Sequence, residues 1–355
     1  MVKDSHPILG RDKRGGSKII GIWMNITVLG FGSWGGTVAQ HLTTLDHKVI
    51  GWHKFPEEVE DMQRTLQHNL IPQLQISKEL QLTTDLEASL KDAEIVVVAT
   101  PSHIVRGIIG ESAKYIKNDA IIVNLAKGVE NDSLQTMSQV IADAGKIDED
   151  RIVTLYGPSH AEEVALGMPT TLVSACVNTE TAKIVQHEFS SEVLRIYSNT
   201  DILGVELAGS LKNVIAIAAG ICDGIGYGDN TKAALITRGL TEMTRLGVEM
   251  GAKPETFFGL SGIGDLMATC LSKHSRNRFV GEELGKGRKL DEILAEMKMV
   301  AEGVKTAKSV VQLRNKYNVP MPIASAMESV LFHGEDPKDK VKELMTRDLK
   351  KEKAY

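Results

Sequence analysis

The stretch Ile26-Thr-Val-Leu-Gly30-Phe-Gly32-Ser-Trp-Gly35-Gly-Thr-Val-Ala-Gln40 sets three glycines at the spacing G-x-G-x-x-G directly after a short apolar run. That spacing suits the pyrophosphate of a dinucleotide. Gly30 permits the tight turn out of a strand, Gly32 brings no Cβ between backbone and phosphate, and Gly35 lets the following helix press on the sheet. The helix start then turns unpaired N–H groups and the positive end of its dipole toward the anion. A glycine-rich turn between any strand and helix can match the same pattern. Here a second strand-like run, Lys48 to Trp52, follows one helix length later and completes a βαβ unit.

Outward from this unit, strand-like runs at 81–83, 95–99, 120–125 and 152–156 alternate with segments of helical period, which predicts a doubly wound (Rossmann) parallel sheet of the α/β class. Runs at 170–177 and 193–198 extend the same sheet. Ligands of such sheets lie beyond the carboxyl ends of the strands, so the turns there carry the chemistry. They read Pro101-Ser102-His103, Lys127-Gly128-Val129-Glu130 and Gly157-Pro158-Ser159-His160-Ala161. A protein selective for NAD usually has an acidic residue at the end of the second strand, whereas this chain has Trp52-His53-Lys54. NAD and NADP are both open, and His53 with Lys54 favours NADPH.

Composition bounds the rest. With 355 residues, 42% hydrophobic and 25% charged, the chain is a globular protein large enough for two domains. A formal charge of −5 carries no footprint for nucleic acid. Three widely spaced cysteines, Cys176, Cys222 and Cys270, form neither a disulfide framework nor a metal clip, which suits a reducing cytoplasm. No metal site and no membrane insertion are expected, the longest apolar run being Val214 to Cys222. Residues 1–23 are basic, lack a core-forming pattern, and are expected to be a disordered extension ahead of Met24, with a basic targeting arm as the alternative.

Beyond Asp201 strand patterning gives way to segments of 3.6-residue period, so residues 24–203 read as the dinucleotide-binding domain, 204–345 as an all-helical substrate domain and 346–355 as a tail. Lys212 shares a helix face with Ala208, Gly209, Ile215, Ala216 and Ala219. Small neighbours would let a ligand approach the lysine, and apolar ones would depress its pKa toward neutrality, although a lysine reaching out to water fits the stretch as well. Asp265 follows Gly262-Ile263-Gly264, and Ser275 is placed to cap a helix whose first residues are Arg276 and Asn277, a phosphate-sized anion site or an ordinary cap with a solvated arginine pair.

Taken together, GFGSWGG, Pro101-Ser102, AKGVE, GPSHA, VELAGSLKNVIAIAAG, GIGDL, HSRNR and Val300-Ala301-Glu302-Gly303 strongly resemble the bacterial NAD(P)-dependent glycerol-3-phosphate dehydrogenases from about Met24 to about residue 335. The resemblance implies reversible reduction of dihydroxyacetone phosphate, a phosphorylated triose, to sn-glycerol 3-phosphate for phospholipid synthesis, by a cytoplasmic homodimer. By matching positions it implies that Ser33, Trp34, His53, Ala161, Arg276, Val300 and Glu302 line the dinucleotide. Lys127, Gly157, Ser159, Lys212, Asp265, Ser275, Arg276 and Asn277 would surround the substrate, with Lys127 shared and Lys212 as the acid. Phe31 departs from the alanine usual in the glycine loop, and the residues after Trp52 are atypical. Two alternatives stand beside this reading: a β-hydroxyacid or 6-phosphogluconate dehydrogenase, which also joins a dinucleotide fold to a lysine-bearing helix, and a dinucleotide sensor without turnover.

Overall fold

The structure, a computed structural model, describes residues 9–11, 17–19, 23–297, 300–349 and 351–352. The expectation of a disordered extension falls largely outside those residues. Within it, β1 (Leu9–Arg11) pairs antiparallel with β2 (Ser17–Ile19).

Eight further strands form one sheet: β3 (Asn25–Leu29), β4 (Lys48–Trp52), β5 (Gln81–Thr83), β6 (Ile95–Val98), β7 (Ile121–Asn124), β8 (Ile152–Tyr156), β9 (Thr170–Ala175) and β10 (Leu194–Asn199). Their spatial order is β10-β9-β8-β7-β6-β3-β4-β5. Strands β3 to β8 run parallel, with Val28 between Gly51 and Val97. The order reverses between β3 and β6, and the crevice that opens there begins at Gly30. Apolar residues fill both faces of the sheet. Val28, Val97 and Val123 belong to one buried cluster and Leu29, Val96 and Ile122 to the other, which is why these strands read as continuous apolar runs.

The all-parallel expectation fails at one joint, because β9 pairs antiparallel with β8 and β10 then runs parallel to β9. After β8 the chain forms the short helix Ala161–Ala165, which packs on the helix Ser33–Thr44 that starts in the glycine loop. The segment thus stays at the carboxyl end of the sheet. Re-entering from that end makes β9 antiparallel.

The second half is helical and centred on Ile202–Ile225. Asp201 caps this helix by accepting the Gly204 N–H at 3.0 Å, and its other oxygen accepts from the Lys253 N–H and the Thr256 hydroxyl. Every residue from Gly204 to Cys222 is buried. Length and composition would let the helix cross a bilayer, yet 89% of its apolar window is enclosed by the fold. Its most extensive contact is with Arg276–Gly285. A Cβ on Gly220 would come within 1.9 Å of the Arg278 carbonyl oxygen, and one on Gly281 within 1.9 Å of that of Ile217. Gly224 and Gly285 lie one turn further along the same crossing. The two backbones therefore touch.

Candidate active site

The glycine loop fits a dinucleotide. At Gly30, φ is +99° and a Cβ would lie 2.9 Å from the Ala99 carbonyl oxygen, while at Gly35 it would lie 1.9 Å from that of Gly30. Gly32 differs: nothing stands within 4 Å of the Cβ position, so no packing requires glycine there. The space lies at the start of the helix Ser33–Thr44, whose positive dipole end suits an anion. Trp34 packs with Ile71, Leu74 and Ala161, which joins the loop to the turn after β8.

Lys127, after β7, and Lys212, on the central helix, meet at one carboxylate. The Lys127 Nζ donates to Asp265 Oδ2 at 2.7 Å and to the Gly157 carbonyl at 3.1 Å. The Lys212 Nζ donates to Asp265 Oδ1 at 2.7 Å and to the Thr269 hydroxyl. That hydroxyl in turn donates to the Asp265 carbonyl at 2.7 Å, which leaves its lone pair for the lysine. Lys212 is 5% exposed and Asp265 2%. Burial lowers the Lys212 pKa to about 8; Asp265 opposes the shift and the charge of Lys127 adds to it. Burial pushes the Asp265 carboxyl up, but the two ammonium groups outweigh it and hold the pKa below its usual value.

Small residues around Lys212 do not open a path to it, contrary to the sequence reading. A Cβ on Gly209 would stand 2.5 Å from the Tyr156 ring, and Ala208, Ala216 and Ala219 lie in the core of the helical half. They let elements pack closely. At Gly157, whose carbonyl Lys127 bonds, φ is +152°, and Ser159 also donates to that carbonyl at 3.1 Å.

The helix start expected to carry an anion also forms. Ser275 caps the helix Arg276–Gly285 by accepting the Arg278 N–H at 3.1 Å. Arg276, its first residue, is exposed and has no hydrogen bond or ion pair among the described residues. Asn277 is engaged differently from the expectation: its amide donates to Asn213 at 2.9 Å and accepts the Gly303 N–H at 2.9 Å. Its backbone N–H remains at the helix end.

Glu302 bridges the halves, taking the Ser102 N–H at 3.1 Å and the Ser102 hydroxyl at 2.7 Å. Val300 is half-buried just before the helix that Glu302 begins. His53, at the far end of the crevice, contacts Glu58 at 3.0 Å through its Nε2. A carboxylate thus does stand beyond β4, supplied by the next helix, and the sequence reading missed it. Asn213 and Thr269 were missed as well, and the partner of Ser102 was not foreseen. Only Thr269 had a visible signal, four residues after Asp265 and so on the same helix face. Among the described residues no group of acidic, histidine or cysteine side chains is gathered for a metal.

Two family models match this chain: the N-terminus of NAD-dependent glycerol-3-phosphate dehydrogenase over residues 25–182, and its C-terminus over residues 201–342. An NAD(P)+ glycerol-3-phosphate dehydrogenase of Salinibacter ruber is 50% identical over 92% of this chain and 96% of its own length. One from Prosthecochloris aestuarii is 49% identical over 93% and 100%. The crystal structure of glycerol-3-phosphate dehydrogenase from Coxiella burnetii superposes with a TM-score of 0.87 at 35% identity, covering 92% of this chain and 99% of that one.

Proposed function

The chain belongs to the NAD-dependent glycerol-3-phosphate dehydrogenase family, and from that premise we propose that its cleft reduces the C2 carbonyl of dihydroxyacetone phosphate with Lys212 as proton donor. The activity is the reversible, NAD(P)H-dependent one that yields sn-glycerol 3-phosphate for phospholipid synthesis. Bound nicotinamide supplies the hydride. The loop Gly30–Gly35 would hold the pyrophosphate, and Ser33, Trp34, His53, Ala161, Val300 and Glu302 the rest of the dinucleotide. NAD and NADP both fit; the NADPH preference rests on Lys54 alone once Glu58 engages His53.

What carries the reading is the bridge Lys127–Asp265–Lys212. An ammonium has three donors, and Asp265 and Thr269 hold two of those of Lys212. The third is left for the oxygen that becomes the C2 hydroxyl. A pKa of about 8 keeps the group protonated at neutral pH yet able to give up its proton as negative charge grows on that oxygen. Lys127 lies on the other side of Asp265 as a second positive charge. Arg276 and the helix end behind Ser275 would take the substrate phosphate, which lies away from the reacting carbon and so can serve orientation. Gly157 and Ser159 close the substrate side.

Oxidation of NADPH or NADH with dihydroxyacetone phosphate, followed at 340 nm, tests the activity. Lys212→Ala should lower kcat by about 10² to 10⁴ and still bind the dinucleotide, whose glycine loop lies in the other half. Lys212→Arg should be nearly as damaging, because arginine keeps the charge but not a transferable proton. Wild-type kcat in Lys212→Arg would move the proton donor to Lys127, Asp265 or water. A cytoplasmic homodimer belongs to the same reading and is supported by the family resemblance; light scattering on the purified protein measures the subunit number.

A further inference from the structure

The glycine loop contains two features that pyrophosphate binding leaves unexplained, a phenylalanine at position 31 and a fourth glycine at position 36. Both meet at His68. This histidine is buried in the segment between the helix Pro56–Thr65 and β5, beneath the loop. Its Nδ1 accepts the Leu70 N–H at 3.1 Å, so in the neutral ring the proton sits on Nε2. Nε2 lies 3.3 Å from the Phe31 carbonyl oxygen and donates to it. Burial lowers the His68 pKa and outweighs the Phe31 and Gly32 backbone bonds, which raise it, so the ring keeps this neutral form. The Phe31 ring lies against the imidazole with centroids 5.6 Å apart. A Cβ on Gly36 would come within 2.6 Å of the imidazole, and one on Gly51 within 2.5 Å of the Phe31 ring. Both glycines thus make room for this pair.

We propose that His68 is a positioning residue for the dinucleotide: by holding the Phe31 carbonyl it turns the Gly32 N–H toward the phosphates. In a planar trans peptide the C=O and the following N–H point in opposite directions. With the Phe31 oxygen held toward His68, the Gly32 N–H points away from His68, at a residue whose Cβ position meets no protein atom within 4 Å. It has no acceptor among the described residues. A peptide free to rotate would have to be ordered by the ligand at the ligand's expense in affinity. The imidazole acts before binding and touches no ligand.

The inference rests on the dinucleotide reading and is tested separately from it. The readout is direct titration of NADPH and of NADH into the full chain, wild type and two variants, with kcat at saturating cofactor and Tm measured alongside. His68→Asn keeps an acceptor for the Leu70 N–H but is too short to donate to Phe31, whereas His68→Gln places its amide N–H near the position of Nε2. His68→Asn should weaken both dinucleotides about tenfold with kcat and the KM for dihydroxyacetone phosphate within twofold, and His68→Gln should stay within threefold of wild type. Binding by His68→Asn within twofold of wild type overturns the proposal. So does equal weakening in His68→Gln, which would make the effect one of packing. Wild-type protein that takes up neither dinucleotide would instead overturn the reading beneath it.

Discussion

At Gly32 the position of a Cβ has no protein atom within 4 Å, whereas at Gly281 it lies 1.9 Å from a carbonyl oxygen of the neighbouring helix. Both glycines sit in glycine-rich stretches of similar look, G-F-G-S-W-G-G and G-E-E-L-G. One absence leaves open space and the other is filled by backbone. The first shapes a surface, while the second sets how close two helices come and hence where Arg276 stands relative to Lys212. A glycine's role is therefore read from what faces it.

The largest effect that would separate the two is on folding. Gly281→Val should cost about 4 kcal/mol or more, or leave the chain insoluble, because its Cβ itself meets the Ile217 carbonyl and no rotamer moves a Cβ. Urea denaturation measures it, and wild-type stability would show that the helices can part without loss. Gly32→Ala should do the reverse. Its Tm should stay with wild type while the Kd for the dinucleotide rises about 10- to 100-fold, the equivalent of a lost charged hydrogen bond. A fall in Tm with unchanged Kd would erase the distinction between the two glycines.

The smallest effect concerns what the helix crossing presents. With Lys212 as the proposed proton donor, the rate of reduction should fall as pH rises through about 8. Lys127→Ala removes a like charge, and should move that fall to higher pH by about half a unit to one unit. A pH–rate profile of kcat in the reducing direction detects it. A shift to lower pH would mean that Asp265, released from Lys127, or another group controls the titration.

Much of the fold could be read from periodicity alone. The central strands β3, β6, β7 and β8 appeared at the expected places because a parallel sheet covered on both faces needs apolar runs there. The antiparallel β9 could not be read, since a strand's own residues do not record the end from which the chain re-enters. In the site, Lys127, Lys212, Asp265 and Arg276 stood out as charged groups beside glycines or apolar residues. Glu58 and His68 did not, since each bonds a partner on a different element: His53 for Glu58, the Phe31 carbonyl for His68.

By itself, then, the sequence determined the βαβ unit, the switch to helices after Asp201, the capping serine and the set of charged groups, because these follow from local period, turn chemistry and residue type. Only the tertiary structure decided that Asp265 joins both lysines, that Asn277 is taken up by Asn213 and Gly303, and that Gly209 accommodates Tyr156 while Gly32 faces open space. The physical reason is the same in each case. Hydrogen-bond partners and the atoms that fill or leave a gap come from segments far apart in the chain, and are known only once those segments have packed.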